Sequence, residues 1–183
     1  SYTCTVNVQY YADPTDANTE YSAQNWLATV FAADNDSAND NTEVASGVEV
    51  NSLVAMDVTS AINYGSLAVG DKNDPLDKTT TVTATGNVGL DQELSGTDMT
   101  DGGSGLIDVA YQKYALAAST AYASGTSLSE TEEEVALNCP KTISMTPATA
   151  DTYWGLEIPA ITTPGSYSGT NTVTAIKSAP ANW

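Results

Sequence analysis

The chain has 183 residues, enough for one domain with a substantial core, and it carries 23 acidic residues against 5 lysines, with no Arg and no His, for a net charge of -18. That balance repels phosphate backbones and anionic bilayers, so nucleic acid is excluded as a partner. No apolar run is long enough for a membrane-spanning helix. There is no imidazole for a Ser–His or Cys–His couple and no guanidinium for a bidentate phosphate clamp.

Along the chain the dominant pattern is period two. In residues 2–11, Cys4, Val6, Val8 and Tyr10 fall on one side and Thr3, Thr5, Asn7 and Gln9 on the other, which predicts a half-buried strand. Asp13, Asp16 and Glu20 follow in a turn-rich stretch. Residues 24–32, with Trp26, Val30 and Phe31, predict a more buried strand with Trp26 in the core. Next comes an Asp/Asn run with carboxylates at Asp34, Asp36, Asp40 and Glu43, and with Asn35-Asp36-Ser37, the only N-glycosylation sequon in the sequence. Residues 44–58 predict two strand pieces, broken near Gly47 and at Asn51–Ser52. Asp71, Asp74 and Asp77 form a further acidic loop.

Strands are then predicted at 79–85, 88–94, 107–114, 135–139, 142–145, 153–158 and 170–176. One short helix is allowed near 108–118. Loops rich in Gly, Asp or Glu lie at 96–105 and 127–134. Roughly nine to eleven short strands with turn-rich connections read as an all-β sandwich with long acidic loops, Ig-like or jelly-roll-like, formed by residues 1–183 as one domain.

The acidic loops offer oxygen ligands, and calcium is the hard divalent ion they would take outside a cell. Asp34, Asp36, Asp40 and Glu43 are one candidate ligand set, and Asp71, Asp74 and Asp77 another. Neither matches an EF-hand. Asp and Asn also populate plain solvated turns, and that reading stands beside the ionic one. Cys4 and Cys139 lie in strand-like stretches too far apart for a CxxC motif. In an exported chain an even count favours a Cys4–Cys139 disulfide, worth about 4–5 kcal/mol in the chain-entropy view, and two buried thiols are the alternative. No initiator Met or signal-like stretch occurs near Ser1, as expected of a mature exported chain. A shortened chain would look the same.

No nucleotide-binding loop is present, and no carboxylate pair stands out among the acids, so the sequence reads as non-enzymatic. A strand at a sheet edge can pair with another chain, and residues 1–11 can serve as an exchanged strand. Trp183, after Ala179-Pro180-Ala181-Asn182, either docks on a neighbouring copy or is a loose end.

One resemblance rests on two late runs, Thr152-Tyr153-Trp154-Gly155-Leu156-Glu157-Ile158-Pro159 and Gly165-Ser166-Tyr167-Ser168-Gly169-Thr170-Asn171-Thr172. It extends to Glu49-Val50-Asn51-Ser52-Leu53, Ile62-Asn63-Tyr64-Gly65-Ser66-Leu67 and Thr85-Gly86-Asn87-Val88-Gly89-Leu90-Asp91. These runs resemble a group of secreted surface β-sandwich proteins of uncultivated, small-genome bacteria and archaea. The resemblance implies an Ig-like sandwich at the cell surface, with no enzymatic site to transfer. In size, acidity and fold class the chain is also similar to extracellular tube and filament subunits of archaea, an analogy of fold alone. The expectation is an extracellular structural subunit of a filament, tube or surface layer. It would assemble with copies of itself by strand addition, with calcium between the acidic loops. The competing expectation is a monomeric secreted adhesin or carbohydrate-binding module.

Overall fold

Alternating Thr and apolar residues build the sheets seen in a computed structural model, which describes residues 5–43 and 47–183. The strands in chain order are β1 (Thr29–Ala33), β2 (Asn39–Glu43), β3 (Met56–Val58), β4 (Lys78–Ala84), β5 (Leu90–Gly96), β6 (Met99–Thr100), β7 (Leu106–Ile107), β8 (Gln112–Ala115), β9 (Thr126–Ser127), β10 (Glu133–Cys139), β11 (Thr149–Leu156) and β12 (Asn171–Lys177). Three short 3-10 turns are the only helical elements among the described residues. None is long and apolar enough to cross a membrane.

A five-stranded sheet, β3-β4-β11-β8-β9, faces a three-stranded sheet, β10-β5-β12. Every pairing is antiparallel. The expected all-β sandwich is therefore what forms. In β4, Thr80, Val82 and Ala84 point inward while Thr79, Thr81 and Thr83 point away, as period two requires. Val135, Leu137 and Cys139 do the same in β10.

The core has two parts. One gathers Leu94, Ile107, Leu128, Val135, Trp154 and Leu156, among others. The other gathers Val82, Ala84, Val88, Leu90, Leu137 and Cys139. Trp154 is 1% exposed, and its indole N–H donates to Thr80 Oγ1 at 2.8 Å, so the largest core side chain leaves no orphan donor. Between the sheets, Gln92 Nε2 of β5 donates to Thr152 Oγ1 of β11 at 2.8 Å. Gly155 lets β11 pass close to the loop before β4: a Cβ there would meet Leu76 Cδ2 at 2.5 Å and the Asn73 carbonyl at 2.9 Å.

Five expected elements come out differently, one of them 107–114, which a 3-10 turn at Val109–Tyr111 divides between β7 and β8. Residues 5–10 join no strand and are exposed, with Val6 at 84% and Val8 at 63%. Their alternation is real, but no sheet edge of their own chain receives it. The 24–32 stretch is not a buried strand. It supplies β1, which pairs only with β2, and every residue of this hairpin is exposed. Trp26 is likewise outside the core, at 45% exposure, with its indole N–H bonded to the Asp13 carbonyl. Residues 142–145 form no strand: Thr142 is buried with its hydroxyl on the Ala84 carbonyl, while Ile143 and Met145 project into solvent. Of the two strand pieces expected in 44–58, the described residues show β3 and an isolated Trp26–Val48 bridge. Residues 44–46 lie outside the described part. Trp183 docks on its own chain. Its indole N–H donates to the Ser178 carbonyl, and Lys177 Nζ sits 5.2 Å from the ring centroid.

Candidate functional site

The acidic loops are held by their own backbone and by lysines. Asp34 Oδ1 accepts from the N–H groups of Asp36 and Ala38, both at 2.9 Å, closing the β1–β2 turn. Asp40 Oδ1 accepts from the Asn41 N–H, and Glu43 lies at the end of β2. Asp74 Oδ1 accepts from the Tyr122 N–H at 3.0 Å, and Asp77 pairs with Lys78. Asp71 is exposed. Among the described residues no three acidic side chains converge as a metal site would require. Asn35 sits exposed at the tip of the β1–β2 turn.

Cys139 is fully buried in the second core cluster, and burial pushes its thiol pKa up. Cys4, its expected disulfide partner, lies outside the described residues.

The first segment is tethered at its base. Lys141, 7% exposed, places Nζ 2.6 Å from Asp13 Oδ1 and 3.1 Å from the Tyr11 carbonyl. Two further links hold the following turn. Ser52 Oγ donates to Asp16 Oδ1, and Lys177 Nζ donates to the Ala17 carbonyl. Burial raises the Asp16 pKa, but the Ser52 hydroxyl and Lys177 outweigh it and leave the carboxyl below its ordinary value. Residues 5–10 thus form an arm that departs from a fixed root.

The opening in the sandwich lies at the other side of the three-stranded sheet. β12 is an edge strand of that sheet, and the chain after β3 runs past it without pairing to it. Between them lies a cavity of about 370 Å³, floored by Thr80, Gln112 and Trp154 and walled by Ile62, Asn171 and Val173. A second cavity of about 520 Å³ is lined by Leu67, Ile107, Leu156 and Ile158. Ile62, Tyr64, Met99 and Tyr167 line both, so the two cavities are neighbours. No charged residue lines either part, although the chain carries -18.

The floor has a particular polar arrangement. Gln112, 2% exposed, accepts at Oε1 from Tyr64 Oη at 3.1 Å and from Asn171 Nδ2 at 3.0 Å. Its amide nitrogen has no partner. Burial pushes the Tyr64 pKa well above the ordinary phenol range, so the phenol stays neutral.

Sequence reasoning did not single out Gln112 or the tether Lys141. A Gln in a period-two strand between Tyr111 and Lys113 carries no composition signal. Tyr64 and Tyr167 appeared only as parts of resembling runs. The available signal was charge: both groove walls come from stretches with no Asp, Glu or Lys, residues 58–70 and 158–176. No protein-family model matches this chain, and no curated protein matches it.

Proposed function

We propose that the chain is a structural subunit of an extracellular filament, tube or surface layer, in which residues 5–10 of one copy add as a strand into the groove beside β12 of the next. One observation carries this reading: an exposed arm with alternating apolar residues coexists with an open, uncharged groove between the sheets. An edge strand offers unpaired backbone groups, and an extended peptide satisfies them while its alternate side chains fill pockets. The arm and groove are also neutral in a strongly acidic molecule, so contact there brings no like charges together.

Calcium enters this reading between copies. Among the described residues the carboxylates do not converge within one copy, and the exposed loops of two copies together supply more oxygens and need neutralising.

Electron microscopy of the purified chain, with calcium and then with chelator, tests both parts. Ordered polymers are expected, and Val6→Asp/Val8→Asp is expected to abolish them while leaving the monomer folded. Polymers that dissolve in chelator support calcium bridging, and polymers that persist remove calcium from the assembly. A wild-type chain that stays monodisperse at high concentration in both conditions overturns the subunit reading in favour of a secreted adhesin or carbohydrate-binding module.

A further inference from the structure

We infer that the outer edge of β1 is a docking edge for a second copy of this chain: two β1 strands meet antiparallel about a two-fold axis at Phe31 and build a four-stranded sheet, β2-β1-β1-β2, across the copies. This contact is separate from the arm and its groove. Sheet edges that face solvent are ordinarily kept short or charged. Most edges of the two large sheets follow that rule: β9 has two residues, β3 has three and carries Asp57, and β10 carries Glu133 and Glu134. β12 ends in Lys177 and is the edge the arm takes in the reading above. By contrast β1, Thr-Val-Phe-Ala-Ala, has five residues and no charge, and the whole stretch 21–33 has none. Val30 is 57% exposed and Phe31 66%. A hairpin of two strands is marginal in water, and further strands stabilise it.

Backbone geometry fixes which groups of β1 are available. Trp26 bonds to Val48 before the strand, and the Asp34 N–H donates to the Ala38 carbonyl after it, both toward the returning chain. In an antiparallel ladder this direction alternates, so Val30 and Ala32 face β2, while Thr29, Phe31 and Ala33 turn their N–H and C=O groups outward. Among the described residues no backbone group receives them. Centring two β1 strands on Phe31 sets Phe31 against Phe31 and Thr29 against Ala33, so every outward group is met and the strands overlap fully. A one-residue slip would set outward groups against inward ones. Charge selects the same edge. Asp40 and Glu43 lie on β2. Pairing through β2 would bring the two acidic strands one spacing apart, about 4.8 Å, whereas pairing through β1 keeps them three spacings apart, about 14 Å and beyond the screening length of about 8 Å at physiological salt. β2 occupies the other side of β1, so the contact closes at two copies and would link two polymers side by side.

The full-length chain carrying Val6→Asp/Val8→Asp, which cannot donate its arm, isolates this contact. Sedimentation equilibrium is run at high protein concentration and about 0.15 M salt, because a contact this small binds weakly. A reversible dimer is expected. Adding Phe31→Asp, which sets like charges opposite each other on the axis, is expected to raise the dissociation constant about tenfold or more. Cysteine cross-linking reads the register independently. Under mild oxidation Phe31→Cys is expected to give a covalent dimer above the background of Cys4 and Cys139, and Asn41→Cys, on β2 beside Phe31, is expected to give none. A chain that stays monomeric overturns the β1 pairing and leaves arm insertion untouched. A dimer that survives Phe31→Asp, or that cross-links through Asn41→Cys rather than Phe31→Cys, also overturns it, since the copies then meet elsewhere.

Discussion

Individual side chains close the sandwich by satisfying each other across it. Gln92 reaches from β5 across to Thr152, and within the larger sheet the Trp154 indole N–H reaches Thr80, so both of these buried donors keep a partner. The interior tyrosines extend this logic to proton binding. Tyr122, 4% exposed, has its pKa pushed up to about 12, first by burial and then by the carboxylate of Glu157. Tyr64 is shifted the same way by burial. For both groups the folded chain holds the proton more tightly than the unfolded chain, whose phenols titrate near the ordinary value of about 10. Their contribution to stability is therefore complete below pH 10 and is lost as pH rises toward 12 and beyond. Urea midpoints measured from pH 8 to pH 12 should stay level to about pH 10 and then fall, and Tyr122→Phe should flatten part of that fall.

Secondary-structure elements divide into those that build the core and those that leave it. β1 and β2 pair with each other alone, and neither face of the hairpin is covered. A two-stranded hairpin of this kind adds little to global stability. Replacing residues 30–42 by a two-residue Asn–Gly turn should shift the urea-derived stability by less than about 1 kcal/mol. A loss of several kcal/mol would mean that the hairpin braces the sandwich.

Legibility in the sequence follows the same division. β4 and β10 were readable because buried and outward-facing residues alternate along them, and β11 because Thr152, Trp154 and Leu156 share one buried face. Residues 5–10 and 24–32 carry the same periodicity, yet they are placed outside. Period two reports that a segment suits a strand and says nothing of which chain supplies its partner. The groove was less legible still, because its walls lack periodicity and its distinguishing residue, Gln112, becomes unusual only once Tyr64 and Asn171 have occupied its oxygen. The acidic clusters present the opposite contrast. They were conspicuous in sequence, and the folded chain uses several of them as turn acceptors or lysine partners.

At the scale of the whole molecule, charge sets how copies meet. Each chain carries -18, while the arm and groove are neutral. Approach is opposed at long range, and the contact itself adds no repulsion. Screening shortens the range of that repulsion from about 30 Å at 0.01 M salt to about 10 Å at 0.1 M. Light scattering should therefore show polymer growth accelerating several-fold between those two ionic strengths, with sodium chloride sufficient for the effect. Growth that slows with salt would mean that attraction between unlike charges, rather than strand insertion, joins the copies.

The tether at Lys141 has a mechanical consequence. In a strand-exchanged polymer, tension arrives through the arm at Tyr11 and Asp13 and passes to Lys141, just beyond β10. It leaves through the neighbour's arm seated beside β12, at the opposite edge of the same sheet. The load path therefore crosses β5, and the hydrogen-bonded ladders on both of its sides share the force. The first side-chain contact to bear that load is the Lys141 ammonium, held to both Asp13 and the Tyr11 carbonyl, and its release would let each arm lengthen.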